Sequence, residues 1–97
     1  MSISISETNK RQDTDQIVDV REHFEITEGM IPTALHIPMG EITERVTELD
    51  KQHLVIVVCR SGRRSTEVAA VLKNMGFEAY SMDGGMNEWY RNNLPIK

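Results

Sequence analysis

Residues 54–65 read Leu54-Val55-Ile56-Val57-Val58-Cys59-Arg60-Ser61-Gly62-Arg63-Arg64-Ser65. The first five are apolar at every position and largely β-branched, the pattern of a strand buried on both faces. Beyond the loop, Val68, Ala69, Val71, Leu72 and Met75 recur at helical spacing, and Gly76 follows the last of them. The only cysteine in the chain therefore falls on a tight loop between a central strand and a helix N-terminus. Unpaired backbone N–H groups and the positive end of the helix dipole face that position. Arg60, Arg63 and Arg64 lie within five residues of the sulfur. This arrangement predicts a thiol that ionises readily, with an anion-binding surface beside it.

The rest of the chain can be read outward from this strand. Ninety-seven residues predict a single domain over 1–97, with 1–16 a polar, weakly patterned segment. An apolar fraction of 39% suffices for one core, which aliphatics and methionines must fill because aromatics make up only 5%. The net charge of -4 argues against a nucleic-acid binder, the arginine loop being a local exception. One cysteine can form neither an internal disulfide nor a multi-cysteine metal site, which favours a reducing compartment. Residues 1–16 hold no apolar core of signal-peptide length, and no run is long enough to span a membrane. The expectation is a cytoplasmic protein with no membrane partner.

Around the central strand the pattern alternates between strand and helix. Ile3 and Ile5 suit a short edge strand, and residues 7–16 read as a loop. Ile17 to Val20 is a short strand. Arg21 to Glu28 suits a helical turn or two with Phe24 facing inward, ended by Gly29. Ala34 to Ile37 is a strand stopped by Pro38. Ile42, Val46 and Leu49 predict a helix over 40–50. Glu78 to Met82 is a last strand, Asp83-Gly84-Gly85 a turn, and 86–92 a short helix. Such alternation predicts an α/β fold with a mostly parallel central sheet flanked by helices on both faces. Ligands bind such sheets beyond the carboxyl ends of the strands, where Cys59 lies.

Several segments, in order, resemble the single-domain rhodaneses, a family of sulfurtransferases. Asp19-Val20-Arg21 resembles the family's Asp-x-Arg, and Gly29-Met30-Ile31-Pro32-Thr33-Ala34 its Gly-His-Ile-Pro-Gly-Ala. Cys59 to Ser65 resembles the active-site loop, and Asp83-Gly84-Gly85-Met86 with Trp89 and Leu94-Pro95 the carboxyl-terminal pattern. Met30 and Thr33 depart from it, which implies a local change in that turn. The helix that often precedes Asp-x-Arg in the family is not visible in 7–16.

The resemblance implies a rhodanese-type fold and a thiosulfate sulfurtransferase activity. Cys59 is the catalytic nucleophile; it takes a sulfane sulfur from a small anionic donor, thiosulfate or a persulfide, and holds it as a persulfide. An external acceptor, cyanide or a thiol such as glutathione or thioredoxin, then removes it. No cofactor and no metal is implied. Arg60, Ser61, Gly62, Arg63, Arg64 and Ser65 form the substrate-binding loop. Backbone N–H groups of 60–65 can ring the sulfur, and Gly62 permits the bend. Arg60 and Arg64 are the candidates for contact with the anion, since guanidinium forks match sulfonate oxygens, and Arg63 faces solvent at the mouth. One of the three could instead brace the loop by pairing with Asp19 or Glu67.

Three other readings compete. A phosphatase or arsenate reductase on the same fold would need Cys-x5-Arg or a second cysteine. Here Ser65 stands at the sixth place after Cys59, and arginine comes one place too early, at Arg64. A non-catalytic interaction module has no use for an intact cysteine loop. A persulfide carrier docked to another protein keeps the chemistry and changes only the partner. His23, His36 and His53 share no ligand spacing, Trp89 suits the core, and Asp19 and Arg21 suit scaffolding.

Overall fold

Val55, Ile56, Val57 and Val58 are fully buried, so the strand they form must be covered on both faces. A computed structural model, which describes residues 1–97, places it at the middle of a five-stranded, wholly parallel sheet. The elements in chain order are β1 (Ser2–Ile3), α1 (Ile5–Lys10), β2 (Gln16–Asp19), β3 (Leu35–His36), β4 (Val55–Val58), α2 (Arg63–Asn74), β5 (Ala79–Met82) and α3 (Gly85–Arg91). Three single 3-10 turns, Ile26–Glu28, Met39–Glu41 and Val46–Glu48, join them. The strand order is β1-β5-β4-β2-β3.

Alternate residues of the strands face opposite layers. On one side Val18, Val55 and Val57 pack with Val68, Ala69 and Leu72 of α2. On the other, Ile17, Ile56 and Val58 pack with Met86 and Trp89 of α3, joined by Ile5 of α1. Helices thus cover both faces, as the alternation predicts. Trp89 is fully buried and donates its indole N–H to the Pro95 carbonyl at 2.8 Å, so it belongs to the core.

Register sets the position of the site. Asp19 pairs with Val58, and Ile3 with Met82, so the carboxyl ends of the strands lie level. The segments leaving β2, β4 and β5 therefore meet along one edge of the sheet.

Three expectations need correction. Residues 5–10 form a helix where the sequence reads as the end of an edge strand at Ile5 and a loop from Glu7; the strand itself stops at Ile3. Ser4 caps the helix, accepting the Glu7 N–H at 3.0 Å, and Ser4-x-x-Glu7 is the spacing of a capping box. Residues 40–50 form two 3-10 turns rather than one helix. Ile42 and Leu49 are buried as their spacing requires, but Gly40, Thr43, Val46 and Thr47 weaken helix propensity in a segment too short to hold a helix without it. Phe24, expected inside, is 75% exposed. The inward place beside it is taken by Glu25, which meets the arginines of the cysteine loop.

Candidate active site

The cysteine loop takes its shape from its two ends. β4 delivers Cys59, and Gly62 turns the chain at φ 105°, a left-handed conformation that glycine adopts without strain. α2 then starts at Arg63. Cys59 is 1% exposed, and its sulfur points back under this turn. Sγ accepts the Gly62 N–H at 3.0 Å and the Ser65 N–H at 3.4 Å. Ser65 Oγ also lies 3.4 Å from the sulfur.

A second helix end fixes the loop from below. The N–H groups of Met86 and Asn87, in the first turn of α3, donate to the carbonyls of Cys59 and Arg60 at 2.8 and 3.0 Å. In a trans peptide the N–H points opposite to its carbonyl. Holding both carbonyls toward α3 therefore turns the N–H groups of Arg60 and Ser61 away from it, into the loop. The Ser61 N–H acts on the sulfur, and those of Arg60, Arg63 and Arg64 find no acceptor within the protein. They form a concave set of donors beside the sulfur, the geometry of an anion nest. Gly85 makes this close approach possible. A Cβ at Gly85 would lie 2.5 Å from the Arg60 carbonyl oxygen and 2.6 Å from that of Cys59.

The electrostatics of the thiol follow. Burial pushes the Cys59 pKa up, but the Ser65 hydroxyl and the N–H groups of Ser65, Gly62 and Ser61 outweigh it, and the net shift is down. The shift runs in the expected direction, and the backbone N–H groups expected to favour the thiolate act together with the Ser65 hydroxyl. Hydrogen-bond donors lead in holding the charge, and of the three arginines only Arg64 lies close enough to attract it.

The arginines are engaged elsewhere. Arg64 grips Glu25 with both terminal nitrogens, at 2.7 and 2.8 Å. Arg60 donates to Glu25 at 3.1 Å and to Glu28 at 2.9 Å. Glu25 also accepts the Glu22 N–H at 2.9 Å, so its carboxylate is fully used. The Arg64 guanidinium, against the cost of burial, leads the effects that hold the Glu25 pKa down to about 2. Arg63 is exposed and forms no ion pair, in line with its expected place at the mouth. Ser61 is exposed, whereas Ser65 is buried and bonds to Ser81 Oγ at 2.7 Å and to the Gly62 carbonyl at 3.1 Å. Ser65 thus acts on the sulfur from behind.

Asp19 and Arg21 form a fully buried pair, as their scaffolding role requires, but they brace a different segment. Arg21 spans Asp19 at 2.8 Å, the Gly29 carbonyl at 3.0 Å and Tyr90 Oη at 3.0 Å. This ties the end of β2 to α3 and to the turn at Gly29, whose φ of 115° ends the preceding 3-10 turn. Asp19 is therefore committed to Arg21, and Glu67 forms no ion pair; the partner of the loop arginines is Glu25. Sequence reading missed Glu25, Ser81 and the α3 N-terminus. The acidic spacing Glu22, Glu25, Glu28 was the available signal for the first, since three clustered cations require a counter-charge.

Known proteins match this arrangement. The rhodanese-like domain profile matches residues 4–92. A sulfurtransferase of Allochromatium vinosum is 40% identical over 96 residues, covering 96% of this chain and 90% of its own. YtwF of Bacillus subtilis, whose name assigns it provisionally to the sulfurtransferases, is 47% identical over 73 residues, 75% of this chain and 71% of its own. The crystal structure of a rhodanese-related protein from Thermoplasma volcanium superposes with a TM-score of 0.93 at 27% identity, covering 99% of this chain and 96% of that one. Fold, loop and sequence agree, and the chain belongs to the rhodanese-like domain family.

Proposed function

We propose that this chain is a sulfurtransferase that carries a sulfane sulfur on Cys59. One observation carries the reading: a buried thiol of lowered pKa sits inside a ring of backbone donors, three of which have no acceptor in the protein. Such a ring suits a thiolate that gains one sulfur and remains an anion.

The chemistry runs in two displacements. The Cys59 thiolate attacks the outer sulfur of the donor. A new S–S bond forms, and the old bond to sulfur breaks with its electron pair leaving on the donor. With thiosulfate the leaving group is sulfite; with a persulfide it is the parent thiolate. Cys59 now bears a persulfide anion, whose terminal sulfur can accept the free N–H groups of Arg60, Arg63 and Arg64. A thiolate or cyanide then attacks that terminal sulfur, and Cys59 leaves as thiolate. Since the chain holds one cysteine, the acceptor must be external, a small thiol such as glutathione or a protein thiol such as thioredoxin.

Turnover with a panel tests the reading. Thiosulfate, glutathione persulfide and mercaptopyruvate would be paired with cyanide, glutathione and thioredoxin, for the parent and Cys59→Ser. Turnover by the parent with at least one pair, absent from Cys59→Ser, is expected. Equal turnover by the two, or none by either, would overturn it.

A further inference from the structure

The arginine loop carries far less positive charge than its sequence suggests. Arg60 and Arg64 converge on one carboxylate, that of Glu25, which is buried and accepts three bonds from them and a fourth from the Glu22 N–H. Glu28 holds the other end of Arg60, and Glu22 lies close enough to act on Arg64. Two guanidinium groups thus face three carboxylates, and Arg63 alone of the three loop arginines forms no ion pair. Glu25 stays ionised through the whole neutral range, so the clamp does not open with ordinary changes of pH.

Donors differ in what they ask of such a site. Thiosulfate arrives with two negative charges and departs as sulfite, also doubly charged, so it needs free cations at the mouth. A thiol persulfide can react with its outer sulfur protonated. Cys59 attacks that sulfur, the S–S bond breaks, and the carrier thiolate leaves with the electron pair and one charge. The proton stays on the transferred sulfur until solvent takes it. The backbone nest can serve this exchange without help from the arginines.

We propose, on the basis of the sulfurtransferase reading above, that Glu25 is a specificity-determining positioning residue: by holding Arg60 and Arg64 it makes thiol persulfides, rather than thiosulfate, the donor class of this site. Glu25 does not touch the donor. It acts by withholding two guanidinium groups from it.

The test uses the full chain with cysteine persulfide and thiosulfate as probes, each varied in concentration, with persulfide on Cys59 read by intact mass. For the parent, kcat/KM with cysteine persulfide should exceed that with thiosulfate by about tenfold or more, as expected where a dianion meets a nearly neutral mouth. Glu25→Gln should raise the thiosulfate-to-persulfide ratio about fivefold, chiefly through a lower KM for thiosulfate, as a charge freed near a dianion requires. Glu25→Asp keeps the carboxylate and should restore most of the parent's preference. A parent that prefers thiosulfate, or a Glu25→Gln variant that slows both donors in proportion, would overturn the proposal. If Glu25→Gln does not fold, the salt dependence of the parent decides. Slowing of thiosulfate by less than about twofold between low and physiological salt supports a neutralised mouth, and slowing of about tenfold overturns it. Failure of both donors to load Cys59 in the parent would instead sink the sulfurtransferase reading itself, and the proposal with it.

Discussion

Replacing Gly85 by alanine should damage the site without replacing any side chain that meets substrate. Gly85 has φ 59°, a conformation that costs an alanine roughly 1 kcal/mol or more. Its added Cβ would lie 2.5 Å from the Arg60 carbonyl oxygen and 2.6 Å from that of Cys59. Real Cβ contacts essentially never fall under 3.0 Å, so the loop and α3 must part by about half an ångström or more. The atoms in the way are backbone, which no rotamer change can move aside. That movement stretches the bonds from Met86 N–H and Asn87 N–H, each worth about 1 kcal/mol. The sum is about 3 kcal/mol, against a total stability of roughly 5–15 kcal/mol for a domain of this kind. The variant should remain folded at room temperature but melt roughly 12–24 °C lower. Its rate of persulfide formation should fall further than its stability implies. With the Cys59 and Arg60 carbonyls released, the N–H groups of Arg60 and Ser61 are no longer aimed at the sulfur; a misplacement of about 1 Å can cost about a hundredfold, so a fall of about tenfold or more is expected here. Thermal melting by circular dichroism gives the first quantity. Single-turnover loading of Cys59, at a temperature where the variant is folded, gives the second. A variant that melts lower yet loads Cys59 at the parent's rate would refute the claim that α3 orients the nest.

Other perturbations probe separate parts of the account. Ser65→Ala removes the leading stabiliser of the thiolate, so the pH midpoint of Cys59 alkylation should rise toward that of a free thiol; the parent's midpoint should lie below it, with reactivity lost as pH falls through that value. Glu25 is held at about 2 against an ordinary 4.5, so its contribution to stability is complete above pH 4.5 and is lost as pH falls from 4.5 toward 2. Acid unfolding of Glu25→Gln should accordingly be flatter across that window than that of the parent, and equal slopes would count against the ion-pair geometry. Asp19→Asn leaves Arg21 buried without its counter-charge and should destabilise the chain by about 3–5 kcal/mol in a urea titration, whereas a loss under 1 kcal/mol would contradict a buried pair.

Where side-chain pattern alone decides structure, the sequence was sufficient. Leu54 to Val58 announced a central buried strand, and Gly62, Ser65 and the α2 apolar face announced a loop ending on a helix. Cys59 could be found because a strand–loop–helix junction is a local feature. What could not be read was set by contacts distant in sequence. Glu25 meets Arg64 across 39 residues, and neither segment alone shows which of several acidic residues will supply the counter-charge. The role of Gly85 likewise depends on the closeness of α3 to a loop some 25 residues earlier, as the Asn87 to Arg60 bond shows. The 40–50 segment misled because its apolar spacing is satisfied equally by two 3-10 turns that bury Ile42 and Leu49. The α1 helix was legible from Ser4 and Glu7, a polar capping signal in a stretch judged only by its lack of apolar rhythm.

The central claim is that Cys59 carries sulfur, and intact-mass spectrometry of the chain after incubation with a sulfane donor tests it most directly. The account predicts a gain of about 32 Da that maps to Cys59, disappears on addition of cyanide with release of thiocyanate, and is absent from Cys59→Ser. An unchanged mass in the parent under every donor, or a gain that persists in Cys59→Ser, would contradict it.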